Sequence, residues 1–291
     1  GPLLDALREL GAEVEELGEA GRLPVAVRGP LVGGAVSVPG HVSSQFLSGL
    51  LLAGPLMERG LRIELSSPPV SVPYVRMTAA VMGWFGVDTD GSAVAPGAYV
   101  PAEVEIEPDA SAAAYFFAAA AISGGRVGVE GLGSASIQGD VAFVDVLERM
   151  GARVQRGARR ITVSGGGELH GVDADLSDIS DTAQTLAAVA AFADSPTRVR
   201  GVGFIRAKES DRIGALVREL RRAGVDAAAE EDGFTITPAP IRPARLRTYD
   251  DHRMAMSLAL LGLRAPGIEI ENPGCVAKTY PGFFADLDRL R

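Results

Sequence analysis

Residues 248–257, TYDDHRMAMS, gather Asp250, Asp251, His252 and Arg253 at the head of an apolar run, MAMSLALLGL, patterned like a buried helix. Carboxylates at an N-cap accept the free backbone N–H groups there, so the two acids have an ordinary structural reading. Arg253 does not, because a cation at the positive end of a helix is misplaced unless an anion sits between them. Arg212, in RAKESDRIGALV, and Lys278, in CVAKTYPGF, repeat the pattern at other helix heads. Carboxylates accompany them: Asp181 heads the apolar DTAQTLAAVAAF, and Glu209 follows Lys208 in the AKESDR stretch. Ser43, Ser44 and Gln45 open a further apolar helix, SSQFLSGLLL, where hydroxyls and an amide suit a phosphate or hydroxyl ligand. Taken singly, the serines and Asp181 fit as caps, the charges of RAKESDR as a solvated face and Lys278 as a surface residue. Taken together, they make an anion-binding site with acid/base groups, in which a partly desolvated carboxylate is tuned as a general base.

Repeated elements must position such a set. Four segments begin with small polar residues, run through an Ala/Leu-rich helix, pass a Gly/Pro/Ser break and end in a strand. Their heads, near Ser44, Ser111, Asp181 and Asp251, fall about 70 residues apart. A second, more charged helix follows each, and three of these end at Gly86, Gly151 and Gly224, where a helix C-cap needs a left-handed residue. The unit is strand, helix, strand, helix, then a strand pair, which makes the chain α/β with helices covering one face of each sheet. First helices are apolar all round and read as central; second helices carry charge and face water. The chain opens with GPLLDALRELGAEVEEL, which matches a second helix with Gly11 in the place of Gly86. It therefore starts within a repeat, and N-terminal material is expected to be missing. The Gly/Pro-rich stretch 88–108 has no helical pattern and marks a junction and hinge at Pro108, dividing the chain into domains 1–107, about one and a half units, and 108–291.

Composition removes other chemistries. The 291 residues are 47% hydrophobic, enough for two cores. A net charge of −9 argues against a nucleic-acid binder, though a few cations can still be focused in one cleft for a small anion. A single cysteine, Cys275, excludes a disulfide framework and a cysteine-cluster metal site. Apolar runs such as AYFFAAAAI are too short to span a bilayer, and no signal peptide is visible at Gly1, so a soluble cytoplasmic protein without membrane contact is expected.

Four motifs in order, LPVAVRGPLVGGAVSVPGHVSSQFLSGLLLAGPL, AKESDR, TYDDHRMAMS and CVAKTYPGFF, resemble the 5-enolpyruvylshikimate-3-phosphate synthase family of enolpyruvyl transferases, and the resemblance runs through the whole chain. SSQFL together with DDHRMA separates it from the related transferases acting on UDP-N-acetylglucosamine. The resemblance implies an inverse α/β barrel-like fold of two similar domains that close on substrate, working as a monomer with neither metal nor other cofactor. It implies transfer of the enolpyruvyl group of phosphoenolpyruvate to the 5-hydroxyl of shikimate 3-phosphate. Carried over by position, Ser43, Ser44, Gln45 and Ser71 resemble contacts to the sugar phosphate, with Gln45 also near phosphoenolpyruvate. Lys208 matches a ligand of the sugar acid, Asp181 the acceptor of the 5-hydroxyl proton and Glu209 a second proton-transfer carboxylate. Arg212, Arg253 and Lys278 match the clamp on phosphoenolpyruvate, with Lys278 also assisting proton delivery to its methylene carbon.

Two departures stand out. Phe204 occupies a place where some members have an asparagine on the sugar phosphate, and the family's N-terminal Lys, Gly-rich loop and Arg have no counterpart in this sequence. On that ground residues 1–291 alone are expected to show no enolpyruvyl transfer until the upstream segment is supplied. The competing reading is a non-catalytic fragment, or one part of a split enzyme, that only binds the sugar phosphate.

Overall fold

Three of the four apolar central helices are crossovers between two parallel strands, as the alternation of periods suggests. In the computed structural model, which describes residues 1–290, the chain divides into one unit of Gly1–Ile106 and a second that begins at Glu107.

The first unit opens with α1 (Pro2–Glu9), which leads through Gly11 at φ 104° into β1 (Glu13–Glu16), paired antiparallel with β2 (Val25–Arg28). Next, β3 (Gly34–Pro39), α2 (Ser44–Ala53) and β4 (Leu61–Ser67) form a crossover, with β3 and β4 parallel and Val36 opposite Ile63. The second helix α3 (Val72–Trp84), which carries one charged residue, Arg76, ends at Gly86, and the two-residue strand β5 (Ala93–Val94) closes this sheet on β4. Val36, Val38, Leu47, Leu50, Leu51 and Ile63 form its core.

In the second unit, α4 (Ala110–Ser123), β6 (Arg126–Glu130), α5 (Phe143–Arg149), β7 (Arg153–Arg156) and β8 (Arg160–Ser164) follow in order, giving a three-stranded antiparallel sheet β6-β8-β7. The complete unit comes next: β9 (Asp173–Asp175), α6 (Ala183–Ala190), β10 (Thr197–Arg200), α7 (Arg212–Arg222), β11 (Asp226–Glu230) and β12 (Gly233–Thr237), in sheet order β11-β12-β10-β9. The last crossover is β13 (Ala244–Leu246), α8 (His252–Ala259) and β14 (Ile268–Ile270), followed by α9 (Phe283–Asp288).

The central helices α4, α6 and α8 are buried on nearly every face because Ala side chains let them approach closely; Thr185 of α6 and Ser257 of α8 share a hydroxyl hydrogen bond of 3.2 Å inside the core. The expected glycine caps are present at Gly86, Gly151 and Gly224, all at positive φ. At Gly151 the requirement is double, since φ is 108° and a Cβ would lie 2.6 Å from the Glu168 carbonyl oxygen. The expectation that second helices face water fails in part for α7. Its inner face carries Arg212 and Glu219, both buried, two turns apart on one side of the helix.

Candidate functional site

The heads of α7 and α8 meet the last residue of the 3₁₀ segment Pro273–Lys278, so Lys278 sits at the end of its segment and not at a helix head as expected. Asp211 caps α7 by accepting from the Gly214 N–H at 3.0 Å, and Asp251 caps α8 by accepting from the Arg253 N–H at 3.0 Å. The ordinary reading of Asp251 as a cap is thus correct but incomplete. Its carboxylate is fully buried and also receives Arg212, with Nε at 2.8 Å and the second contact at 3.3 Å, as well as Ser210 Oγ at 2.9 Å.

From Arg212 the charges alternate across the site. Its guanidinium reaches Glu209 at 2.6 Å and Asp181 at 3.3 Å. Asp181 in turn binds Arg253 at 2.7 Å, and Glu209 accepts from Lys278 Nζ. Lys278, Glu209, Arg212, Asp181 and Arg253 therefore form one continuous row, with Asp251 behind it. All three cations singled out in the sequence lie in this row. In this state they are balanced by carboxylates of the chain itself, so Arg253 at a helix head is answered first by Asp181. Burial pushes the Glu209 carboxyl upward, but the Lys278 hydrogen bond and the Arg212 charge outweigh it and hold the group at about 2. Below the row the Tyr115 hydroxyl receives Arg253 at 3.5 Å, and burial raises that phenol to about 12, so it stays protonated at neutral pH.

Two left-handed residues, Tyr249 at φ 56° and Asp250 at φ 57°, aim Asp251 into the site. A third, Asn272 at φ 50°, starts the segment that carries Lys278, and its side-chain amide donates to Asp250. Non-glycine residues in that region cost about 1–3 kcal/mol each, so surrounding contacts must hold them there.

Lys208 follows the 3₁₀ segment Gly203–Ala207 and has no carboxylate partner among the described residues. Its ammonium sits 6.0 Å from the Phe204 ring centroid, so Phe204 serves as a platform for Lys208. In the first unit Ser43 caps α2, accepting from the Gln45 N–H at 3.2 Å; Ser44 is buried and the Gln45 side chain is exposed. Ser71 stands at the N-cap position of α3 in a left-handed conformation, φ 53°, and is buried, without its side chain capping the helix.

Three buried polar residues, two of them in the site, were not read as such from the sequence. Asp251 looked like a cap only, Tyr115 like core in AYFFAAAAI, and Glu219 like one more surface charge of a second helix. A lone phenol in an Ala/Phe helix was the only available signal for Tyr115. No group of three or more His, Cys, Asp or Glu side chains that could hold a metal ion occurs among the described residues. Two clefts of about 540 and 550 Å³ lie near the C-terminal end of α4 and contain none of these groups.

Parallel crossovers and one row of paired cations and carboxylates define an α/β protein with a charge-lined site. Comparison with known sequences and structures narrows the class. The sequence model of EPSP synthase (3-phosphoshikimate 1-carboxyvinyltransferase) matches residues 1–287. A 3-phosphoshikimate 1-carboxyvinyltransferase of Methanoculleus marisnigri is 44% identical over 293 residues, covering 99% of this chain and 69% of the relative. Another, of Trichormus variabilis, is 44% identical over 297 residues, covering 100% of this chain and 70% of the relative. The solved EPSP synthase of Acinetobacter baumannii superposes with a TM-score of 0.79 at 28% identity, over 99% of this chain and 70% of that one. The enolpyruvyl transferase NikO of Streptomyces tendae shares the fold, with a TM-score of 0.77 at 23% identity, over 99% of this chain and 70% of that one. The chain belongs to the EPSP synthase family, with the enolpyruvyl-transferase fold, and spans about 70% of the length of these relatives.

Proposed function

We propose that the protein transfers the enolpyruvyl group of phosphoenolpyruvate to the 5-hydroxyl of shikimate 3-phosphate and releases phosphate. The row Lys278–Glu209–Arg212–Asp181–Arg253 carries this reading, because it sets cations for a polyanion directly beside carboxylates able to move protons.

In this reading Arg212, Arg253 and Lys278 take the phosphate and carboxylate of phosphoenolpyruvate. An arriving anion competes with Asp181 for Arg253 and Arg212, which frees a carboxylate oxygen of Asp181 to take the 5-hydroxyl proton as the hydroxyl oxygen attacks C2 of phosphoenolpyruvate. C3 takes a proton from Lys278 or Glu209 to give the tetrahedral adduct. Loss of the C3 proton and departure of phosphate then restore the double bond. The same competition releases Glu209 from the pairing that holds it at about 2, bringing it toward the range where it can carry a proton. Ser43, Ser44, Gln45 and Ser71 are the residues for the sugar phosphate and Lys208 for its carboxylate, and the second unit carries the acid/base groups. The protein works as a monomer in the cytoplasm, which light scattering of the purified protein and cell fractionation test. Among the described residues no helix is long and apolar enough to cross a membrane.

The test is release of inorganic phosphate. In an enzyme that includes the family's upstream segment it is expected only when both substrates are present, and there Asp181→Asn should lower turnover by about 10²–10⁴ while binding of shikimate 3-phosphate weakens far less. Binding of shikimate 3-phosphate with no phosphate release would instead support the binding-only reading.

A further inference from the structure

Glu219 has no part in the chemistry above, yet it is the other charged group on the inner face of α7 and is fully buried. Both of its oxygens are used. Oε1 accepts from the Tyr249 hydroxyl at 2.7 Å; Oε2 accepts from the Arg247 backbone N–H at 3.0 Å and from Arg222 Nε at 2.9 Å. Arg218 adds a hydrogen bond of 3.0 Å to the same hydroxyl and lies with its guanidinium 5.7 Å from the Tyr249 ring centroid.

These contacts have a common geometry. The segment 247–251 runs beside α7 and is fastened at both ends, by Glu219 to Arg247 and by Arg212 to Asp251. Between the two fastenings lie Tyr249 and Asp250, the residues in left-handed conformation, and the turn is closed by the Asp251 N–H on the Thr248 carbonyl at 2.9 Å. Tyr249, itself one of the two, is gripped through its hydroxyl. A backbone conformation unfavourable to Tyr and Asp persists only where its surroundings over-determine it, and here the Glu219 end supplies part of that determination, beside Arg212 and Asn272.

We infer that Glu219 is a positioning residue for the anion clamp: through Arg247 and Tyr249 it fixes the turn that delivers Asp251 and Arg253. The inference rests on the proposed phosphoenolpyruvate site, but its first test does not.

Amide hydrogen exchange is measured on the protein and on Glu219→Ala, Glu219→Gln and Tyr249→Phe. Exchange in 247–253 should accelerate in Glu219→Ala and Tyr249→Phe while β11 and β12 keep their protection, and Glu219→Gln, which retains shape and an acceptor, should restore most of it. Phosphoenolpyruvate affinity, by calorimetry, should fall by about tenfold or more in Glu219→Ala with the affinity for shikimate 3-phosphate nearly unchanged, since displacing a clamp by a fraction of an ångström is felt only by its ligand. If Glu219→Ala does not fold, Tyr249→Phe, which removes a single oxygen, decides. Unchanged exchange in 247–253, or loss of both affinities in step with a general loss of protection, overturns the inference. Failure of the unaltered protein to bind phosphoenolpyruvate counts against the proposed function, while the exchange result still decides whether Glu219 holds the turn.

Discussion

Arg212 touches three carboxylates, and they do not do the same work. Asp251 is fully buried and holds the guanidinium through two contacts, whereas the Asp181 side chain is 22% exposed and also binds Arg253. Removing one partner of a buried pair strands the other charge, so Asp251→Ala should destabilise by about 3–5 kcal/mol. Asp181→Ala should cost much less in urea denaturation, because water reaches that carboxylate and Arg212 keeps Glu209 and Asp251. The acid response belongs to Glu209. Its carboxyl falls from an ordinary 4.5 to about 2 on folding, so its contribution is complete above pH 4.5 and is lost as pH drops toward 2. The stability difference between the protein and Glu209→Gln should therefore close across that interval, and shrink with added salt because Glu209 and Lys278 are reached by solvent. Residue types and spacing made the cations and two of the carboxylates legible, since a cation at a helix head breaks a local rule. The burial of Asp251 and Glu219 was not legible, because a capping Asp and a solvent-facing Glu look the same in sequence as buried ones.

At the level of elements, the repeated crossover was readable because the apolar period changes from 2 to 3.6 and back within each unit. The left-handed glycines were readable for a similar reason: Gly151 follows a helix that must turn sharply. Tyr249, Asp250, Asn272 and Ser71 adopt the same region with no glycine to announce it. Tertiary fastenings impose those conformations, and no short window of sequence contains both ends of a fastening such as Glu219 to Tyr249. The Ala-rich faces of α4, α6 and α8 carry a further consequence. Ala187 is fully buried in α6, which packs against α4 and α8, so Ala187→Leu must push two neighbours apart. It should lower stability by about 1–3 kcal/mol in denaturant titration without altering which anions bind.

For the whole molecule, a net charge of −9 conceals a site in which three cations meet three carboxylates. An anion that binds the folded chain alone must raise its stability by mass action, by about 2.7 kcal/mol at one hundred times its dissociation constant. Phosphoenolpyruvate should therefore raise the thermal midpoint well beyond the effect of chloride at equal ionic strength. In Arg253→Ala, scanned in the same way, most of that difference should disappear.

The bond between Asn272 and Asp250 joins the loop that starts α8 to the loop that starts the segment ending at Lys278. Two cations borne by separate stretches of chain are thereby set at one spacing, like the jaws of a caliper. A site of this kind sorts anions by span as well as by charge. An anion too short to bridge the jaws gains one contact, and one too long must strain the linkage. Size selection of this sort would trace to one carboxamide, that of Asn272, and its bond to Asp250.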